Sequence, residues 1–224
     1  MSPTPAHSPG EDRVEPAMLL FDFDGTVADT LVISHEILND LAREFRFREL
    51  PAGELETARA MGTRQFIRHL GISSWRIPSI SRRGLQLLHE RIHLVEPVTG
   101  MPEVLAELRS RGHRLGILTS NSEANVTAFL ERHDLPHFDF IRTSSKLFGK
   151  AREMKRLLRS ERIPPKAVLY VGDETRDIEA ARETGLRMAA VTWGYNSEAA
   201  LSSLGPEFLV SSPADLLSLT RSRA

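Results

Sequence analysis

Short apolar runs alternate with amphipathic stretches along most of the chain. The runs predict buried strands, and the apolar residues between them recur at the three-to-four spacing of a helix with one buried face. This alternation indicates a parallel sheet covered on both faces, so the predicted fold class is α/β, a doubly wound parallel sheet with a Rossmann-like core. The predicted strands span residues 18–23, 115–118, 138–141, 167–171, 188–191 and 208–210, and the later helices span residues 101–111, 122–132, 151–159 and 175–184.

One segment interrupts this alternation. Residues 31–96 contain no convincing strand pattern, whereas Ile37, Leu41 and Phe45 follow helical spacing. We therefore expect an inserted helical cap domain of residues 31–96 between the two parts of an α/β core domain, residues 18–30 and 97–224. Residues 1–17 are predicted to form a flexible tail because prolines recur through them, and Met18 is a second candidate for the start of the protein.

Composition narrows the classes of function. The chain has 29 Lys and Arg against 30 Asp and Glu, a formal net charge of −1, which gives no indication of nucleic acid or an anionic membrane as partner. No apolar run approaches the roughly 20 residues of a membrane span, and the N-terminus lacks the apolar core of a secretory signal. The absence of cysteine excludes a thiolate metal site and a cysteine nucleophile, and it fits a reducing cytoplasm, the predicted location.

Acids, hydroxyls and a lysine follow the predicted strands. The carboxyl ends of parallel strands meet at one edge of a sheet, where ligands of such folds bind. The sequence therefore predicts one site that brings together residues far apart in the chain. Its candidate side chains are Asp22, Asp24, Thr119, Ser120, Lys150, Asp173 and Asp177.

This set of side chains suits phosphoryl transfer. Several carboxylates in one crevice need a cation, and oxygen-only ligands favour Mg²⁺ over zinc. The ion would also neutralise phosphate oxygens, so that Asp22 can attack phosphorus and form an acyl phosphate. Asp24 would give a proton to the leaving oxygen and later take one from water. Thr119 would donate a hydrogen bond to the phosphoryl group, and Lys150 would offset the negative charge.

The order of these residues resembles the haloacid dehalogenase superfamily of phosphatases. Its four motifs match residues 22–26 (Asp-Phe-Asp-Gly-Thr), residues 116–119 (Gly-Ile-Leu-Thr), Lys150, and Gly172-Asp173 followed by Asp177. The match covers nearly the whole chain after the tail. The resemblance implies that Asp22, Asp173 and the backbone carbonyl of Asp24 bind the magnesium ion, with Asp177 supporting the ligands from outside.

Two further runs resemble phosphoglycolate-phosphatase-like members of that superfamily. They are residues 172–181 (Gly-Asp-Glu-Thr-Arg-Asp-Ile-Glu-Ala-Ala) and residues 191–195 (Val-Thr-Trp-Gly-Tyr). The resemblance implies a small phosphorylated metabolite as substrate, with its phosphoryl group on Thr119, Ser120 and Lys150. In the cap, Arg64 together with Arg59 is a candidate for holding a substrate carboxylate.

Other activities remain as alternatives. Asp24 argues against a dehalogenase, and the absence of lysine between Asp24 and Lys146 argues against a phosphonate hydrolase. A sugar phosphomutase and a catalytically silent interaction protein stay open, and Lys146 competes with Lys150 for the lysine position. Residues 89–93 (His-Glu-Arg-Ile-His) match a zinc-peptidase pattern, but the nearby Pro97 and the internal arginine favour an exposed polar face of a cap helix.

Overall fold

The computed structural model describes residues 15–135, 138–144 and 149–221. Six parallel strands form one sheet in the order β3-β2-β1-β4-β5-β6. The first strand lies in the middle and later strands are added on both sides, which confirms the predicted doubly wound α/β fold. The strands are β1 (Met18–Phe21), β2 (Arg114–Thr119), β3 (Phe140–Thr143), β4 (Val168–Gly172), β5 (Arg187–Val191) and β6 (Phe208–Val210).

Helices follow the strands at nearly the predicted positions. The helical segment, residues 31–96, is described throughout and contains no strand. Its helices are α1 (Leu31–Phe45), α2 (Leu55–Arg59), α3 (Thr63–His69) and α4 (Ile77–Arg91). The helices that accompany the sheet are α5 (Met101–Ser110), α6 (Glu123–Arg132), α7 (Lys150–Glu161), α8 (Thr175–Thr184) and α9 (Glu198–Ser202). Within the described residues, none of the helices is long and apolar enough to span a membrane.

Strand β1 ends at Phe21, two residues before the predicted end. The carbonyl of Phe23 accepts hydrogen bonds from the backbone of Val27 at 2.9 Å and of Ala28 at 3.0 Å, which folds the chain into a turn. Gly25 adopts φ 72° in this turn, a conformation that glycine reaches without steric cost. The turn takes Asp24 out of the sheet, and Asp24 lines a cavity there.

Both faces of β1 are buried, as a central parallel strand requires. Leu19 and Phe21 belong to one apolar cluster, while Met18 and Leu20 belong to a second cluster on the other face. Buried residues of α1 and α4, Leu41 and Leu88 among them, join the first cluster. The helical segment therefore packs against the sheet through a shared apolar core.

Two linkers connect the helical segment to the sheet, and they run side by side. The backbone of Asp29 donates to the carbonyl of Glu96 at 2.9 Å, and that of Val98 donates to the carbonyl of Val27 at 3.0 Å. The chain therefore leaves and re-enters the sheet region at neighbouring points. The predicted tail lies outside the described residues up to residue 14, while Ala17 already donates to the carbonyl of Ala167 at 2.7 Å.

Candidate active site

Asp22 follows β1 directly and is buried, with 2% of its surface exposed. Its backbone N–H donates to the carbonyl of Val171 at 2.8 Å, and its Oδ1 accepts from the backbone of Phe23 at 2.8 Å. Its Oδ2 accepts a hydrogen bond from the ammonium of Lys150. Burial raises the pKa of Asp22 to about 6, and the charge of Lys150 opposes that rise. The structure thus fixes one carboxylate at the carboxyl end of the central strand.

Lys150 is the first residue of α7, and its ammonium joins two acids. Its Nζ donates to Oδ1 of Asp177 at 2.6 Å as well as to Asp22. Burial lowers the pKa of Lys150, but Asp177 and Asp22 outweigh burial and raise it, so the group stays charged. The competing candidate, Lys146, lies outside the described residues.

Asp177 lies at the third position of α8, which explains its spacing from Asp173. Its Oδ2 accepts from the backbone of Glu174 at 3.2 Å, and the Glu174 side chain accepts from the backbone of Asp177 in return, which is a capping box. The carboxylate of Asp177 therefore caps the N-terminus of α8 and also accepts a hydrogen bond from Lys150. The Asp-x-x-x-Asp spacing follows from this double role.

Asp24 has a neutral partner. Its two carboxylate oxygens accept from Nδ2 of Asn121 at 3.0 and 3.1 Å. Asn121 is buried, and its Oδ1 accepts from the backbone of Ser122 at 2.7 Å and from Nδ2 of Asn125 at 2.9 Å, which fixes the orientation of its amide. Burial, followed by the charge of Asp22, raises the pKa of Asp24 to about 7, and the bond from Asn121 opposes the rise.

Asp173 follows β4 and is fully buried. Its Oδ1 accepts from the hydroxyl of Thr26 at 2.8 Å, and its Oδ2 accepts from the backbone of Tyr195 at 2.7 Å. Burial, and then the charges of Glu174 and Asp22, raise the pKa of Asp173 well above its ordinary range. This carboxyl group sits in surroundings that favour a cation beside it.

A divalent cation fits the buried acids. Among the described residues, Asp22, Asp173 and Asp177 form the group with metal-ligand potential, and one carboxylate oxygen from each lies within 4.8 Å of the others. Oxygen ligands with excess negative charge suit a hard ion such as Mg²⁺. This set of three acids includes Asp177, for which the family resemblance implies a supporting role and not direct binding of the ion. Asp24 would bind the ion through its backbone carbonyl.

The histidines of the zinc-peptidase pattern do not belong to this group. Helix α4 ends at Arg91, so His93 lies in the following turn and not on the same helical face as His89. Nδ1 of His89 instead hydrogen-bonds with Oδ1 of Asn125 at 2.8 Å. His89 is exposed, as expected for a polar helix face, but it also contacts the buried asparagine that supports Asn121.

Thr119 and Ser120 lie at the end of β2, beside the two acids. Oγ1 of Thr119 accepts from the backbone of Asn121 at 3.0 Å, so its hydroxyl hydrogen can be donated elsewhere. Oγ of Ser120 accepts from Arg176 at 3.3 Å, and Arg176 also forms an ion pair with Glu174. We call the edge of the sheet formed by the carboxyl ends of its strands the rim. The rim therefore carries a hydroxyl donor and a guanidinium in addition to Lys150.

The two arginines predicted in the helical segment line different cavities. Arg64 lines a cavity of about 180 Å³ together with Lys150 and Arg176. Arg59 lines a larger cavity of about 380 Å³ that also contains Asp24. The guanidinium of Arg59 donates to the carbonyl of Gly194 at 3.0 Å, which connects α2 to the loop after β5.

Sequence reasoning missed several residues of this site. Asn121 orients Asp24 and Arg176 contacts Ser120, whereas the sequence singled out the run that contains Tyr195 but not the bond from its backbone to Asp173. Asn196 donates to the carbonyls of Arg59 and Met61, both at 2.9 Å, and so joins the helical segment to the rim. The position of Asn121, two residues after the motif threonine, was the available signal, because polar residues at strand ends point to this rim.

Comparison with known proteins identifies the family. A family model described as haloacid dehalogenase-like hydrolase matches residues 19–191. The chain is a haloacid dehalogenase-like hydrolase. This hydrolase is 38% identical over 200 residues to the phosphoglycolate phosphatase of Synechococcus elongatus, a match that covers 89% of this chain and 94% of the relative. The family and the enzyme class predicted from the motifs, phosphoric monoester hydrolase, are both confirmed.

Solved structures of low sequence identity share the fold of this hydrolase. A predicted phosphatase from Clostridium acetobutylicum has a TM-score of 0.78 at 21% identity, covering 92% of this chain and 97% of that one. CbbY from Rhodobacter sphaeroides, solved in complex with phosphate, has a TM-score of 0.69 at 21% identity, covering 90% of this chain and 96% of CbbY. The helical segment is included in these matches, because they extend over nearly the whole chain.

Proposed function

We propose that this hydrolase is a magnesium-dependent phosphatase that acts on a small phosphorylated metabolite through an aspartyl phosphate on Asp22. The observation that supports this proposal most directly is that the two acids after β1 have different hydrogen-bond partners. Asp22 faces the ammonium of Lys150, which favours the ionised carboxylate that a nucleophile requires. Asp24 bonds to the neutral amide of Asn121, and burial beside Asp22 raises its pKa to about 7, so Asp24 can hold the proton that a general acid requires.

In the first step, an oxygen of Asp22 attacks phosphorus and the bond from phosphorus to the ester oxygen breaks. Asp24 donates its proton to the departing oxygen, so the product leaves as an alcohol. Thr119 donates a hydrogen bond to the phosphoryl group, and Ser120 and Lys150 complete its surroundings. Asp22, Asp173 and the backbone carbonyl of Asp24 would hold Mg²⁺, which neutralises phosphate charge when bound.

In the second step, the ionised Asp24 removes a proton from water, and the water oxygen attacks the phosphorus of the acyl phosphate. The bond between phosphorus and the Asp22 oxygen breaks and releases inorganic phosphate. The Asp22 carboxylate and the protonated Asp24 are thereby restored. Lys150 and Asp177 keep Asp22 in place throughout, since the ammonium contacts both acids.

Phosphoglycolate is the first substrate to test. The relative from Synechococcus elongatus carries the name phosphoglycolate phosphatase and matches over nearly its whole length. The helical segment would act as a cap over the rim, with Arg59 in the wall of the cavity that contains Asp24 and Arg64 in the cavity beside Lys150. A guanidinium suits a substrate carboxylate because it offers paired donors.

Release of inorganic phosphate from phosphoglycolate and from 4-nitrophenyl phosphate, with Mg²⁺ and with a chelator, tests the proposal. We expect Mg²⁺-dependent release that Asp22→Asn lowers by on the order of 10³-fold or more. The acid-quenched enzyme should carry a phosphoryl group on the peptide that contains Asp22. Asp29→Asn is the matched control, because Asp29 is exposed and close in sequence.

Full activity in Asp22→Asn would disprove the role of Asp22 as the nucleophile. Transfer of the phosphoryl group to another position of a sugar, without accumulation of inorganic phosphate, would indicate the phosphomutase alternative. No turnover of any ester by correctly folded enzyme would favour the silent interaction protein.

A further inference from the structure

The cavity of about 380 Å³ extends from the catalytic rim into the helical segment. At the rim it is lined by Asp24, Ser120 and Arg176. Every helix of the segment contributes apolar side chains to its remaining wall. These include Leu38, Leu41, Leu55, Phe66, Leu85 and Leu88. Its volume lies within the range of about 300–1,000 Å³ that is typical of ligand sites.

Large apolar side chains of the wall remain only partly buried. Leu38, Leu55, Phe66 and Leu85 are half-buried although they point into the interior of the segment. Apolar surface in contact with water is unfavourable, and covering it with a ligand's apolar group releases that cost. The cavity is therefore suited to an apolar part of a ligand.

Several polar side chains of the wall already bond within the protein. Nε2 of His35 lies 2.7 Å from the carbonyl of Leu50, and the hydroxyl of Ser34 accepts from Tyr195 at 2.6 Å. The amide of Asn196 donates to two backbone carbonyls of the segment. These bonds leave the deep part of the cavity with mainly apolar surface to offer a ligand.

We propose that the leaving alcohol of the preferred substrate carries an apolar group, an alkyl chain or a ring, that enters this cavity. This inference rests on the proposed function, because the phosphoryl group must lie against Asp22 and Asp24 at the rim. A two-carbon leaving group would fill a small part of the volume. A longer apolar group would cover Leu38, Phe66 and Leu85 and would displace water from them.

A series of n-alkyl phosphates from ethyl to octyl tests this inference on the full chain with Mg²⁺. We expect kcat/KM to rise about 4-fold for each methylene until the chain reaches the end of the cavity, or about 200-fold from ethyl to hexyl phosphate. The trend is measured within the alkyl series, so activity on phosphoglycolate does not enter it. A flat or falling series overturns the inference and leaves the phosphatase proposal intact.

Substitutions in the wall locate the effect. Phe66→Asn and Leu38→Asn should lower the ratio of hexyl to ethyl phosphate hydrolysis at least several-fold, because a polar amide replaces the apolar contact. Trp75→Asn is the control, since Trp75 is 80% exposed and does not line the cavity, and it should leave the ratio unchanged. An unchanged ratio in both wall variants would show that the alkyl group of the substrate binds outside this cavity.

Binding of n-alkylphosphonates separates this inference from the proposed chemistry. Calorimetry should show affinity that increases with chain length, together with a negative heat-capacity change that also grows with chain length. This result supports the apolar cavity even where no ester is hydrolysed. An affinity that does not change with the length of the alkyl group contradicts the cavity proposal. If affinity increases with that length but no ester is hydrolysed, the proposed function alone is contradicted.

Discussion

Gly194, in the loop after β5, lies directly against the side chain of Asp173. A Cβ atom built on Gly194 would overlap Oδ2, Cγ and Cβ of Asp173. The next residue, Tyr195, donates its backbone N–H to that same Oδ2 at 2.7 Å. The loop can therefore hold the acid at this distance only if position 194 has no side chain.

Gly194→Ala should lower activity by about 10- to 100-fold, since Asp173 is a proposed metal ligand and groups that orient metal ligands have effects of this size. The physical cause is displacement of Asp173 or of the loop, so the apparent affinity for Mg²⁺ should fall in parallel. A Mg²⁺ titration of the initial rate measures both quantities. Gly53→Ala is the matched control because nothing lies within 4 Å of its added Cβ. Unaltered Mg²⁺ dependence in Gly194→Ala would contradict this role.

Residues at strand ends were predictable from the sequence, but their partners were not. Asp22, Thr119 and Asp173 each lie where an apolar run stops, so the parallel sheet brings them to one edge. Asn121 has no apolar pattern of its own, and its partner Asp24 lies 97 positions away in the chain. A pairing of that kind depends on side-chain geometry, which periodicity does not encode.

At the scale of elements, α4 of the helical segment contacts α6 next to the catalytic rim. Nδ2 of Asn125 donates to the carbonyl of Leu85 at 3.2 Å, and Oδ1 of Asn125 pairs with His89 at 2.8 Å. Asn125 also donates to Asn121, which donates to Asp24. A continuous set of hydrogen bonds thus connects a helix of the segment to the proposed general acid.

Asn121→Ala should reduce kcat for phosphoglycolate by about 10- to 100-fold, because Asn121 positions Asp24 and general acid catalysis contributes about 10²- to 10⁴-fold. The loss should be much smaller for 4-nitrophenyl phosphate, whose leaving group needs little protonation. Parallel assays of both substrates measure the difference.

Asn125→Ala should show the same substrate dependence as Asn121→Ala at smaller amplitude, since it acts through Asn121. Equal losses on both substrates would indicate a structural defect instead of a misplaced Asp24.

The sequence marked His89 through a chance match to a zinc motif, and only the packing of α4 on α6 showed its contact with Asn125.

At the scale of the molecule, strands β1 and β4 and helices α7 and α8 place buried charges beside one another. The ammonium of Lys150 bonds to Asp22 and Asp177, whereas the nearby Asp173 accepts from the neutral groups of Thr26 and Tyr195. Uncompensated buried charge destabilises a fold, so an added cation should stabilise the whole chain. The shared apolar cluster of β1, α1 and α4 implies that this effect reaches the helical segment too.

Mg²⁺ at about 100 times its Kd should add about 2.7 kcal/mol to the free energy of unfolding, a rise in Tm of about 5–10 °C. Thermal unfolding with Mg²⁺ and with a chelator, at matched ionic strength, measures this shift. Asp173→Asn should remove most of it, whereas Asp29→Asn should retain it. A shift of equal size in Asp173→Asn would place the ion elsewhere.

The arrangement of the whole fold was largely predictable, whereas the shape of the cavity was not. Alternating apolar runs and helical spacing specify a parallel sheet, and six strands appear where the runs lie. The cavity depends on how α1 and α3 approach each other across Leu38 and Phe66, which is a matter of tertiary packing. The proposed substrate preference therefore rests on the structure, while the reaction class was predicted from the motifs.

The paired linkers at Ala28 and Pro97 have an evolutionary consequence. Because the insert begins and ends at adjacent points, its length adds little to the entropy cost of closing the chain there. Inserts of other sizes could replace it without shifting the register of β1 against β2. An exchange of the insert would change the surroundings of the leaving group while the carboxylates at the end of β1 and β4 keep their positions.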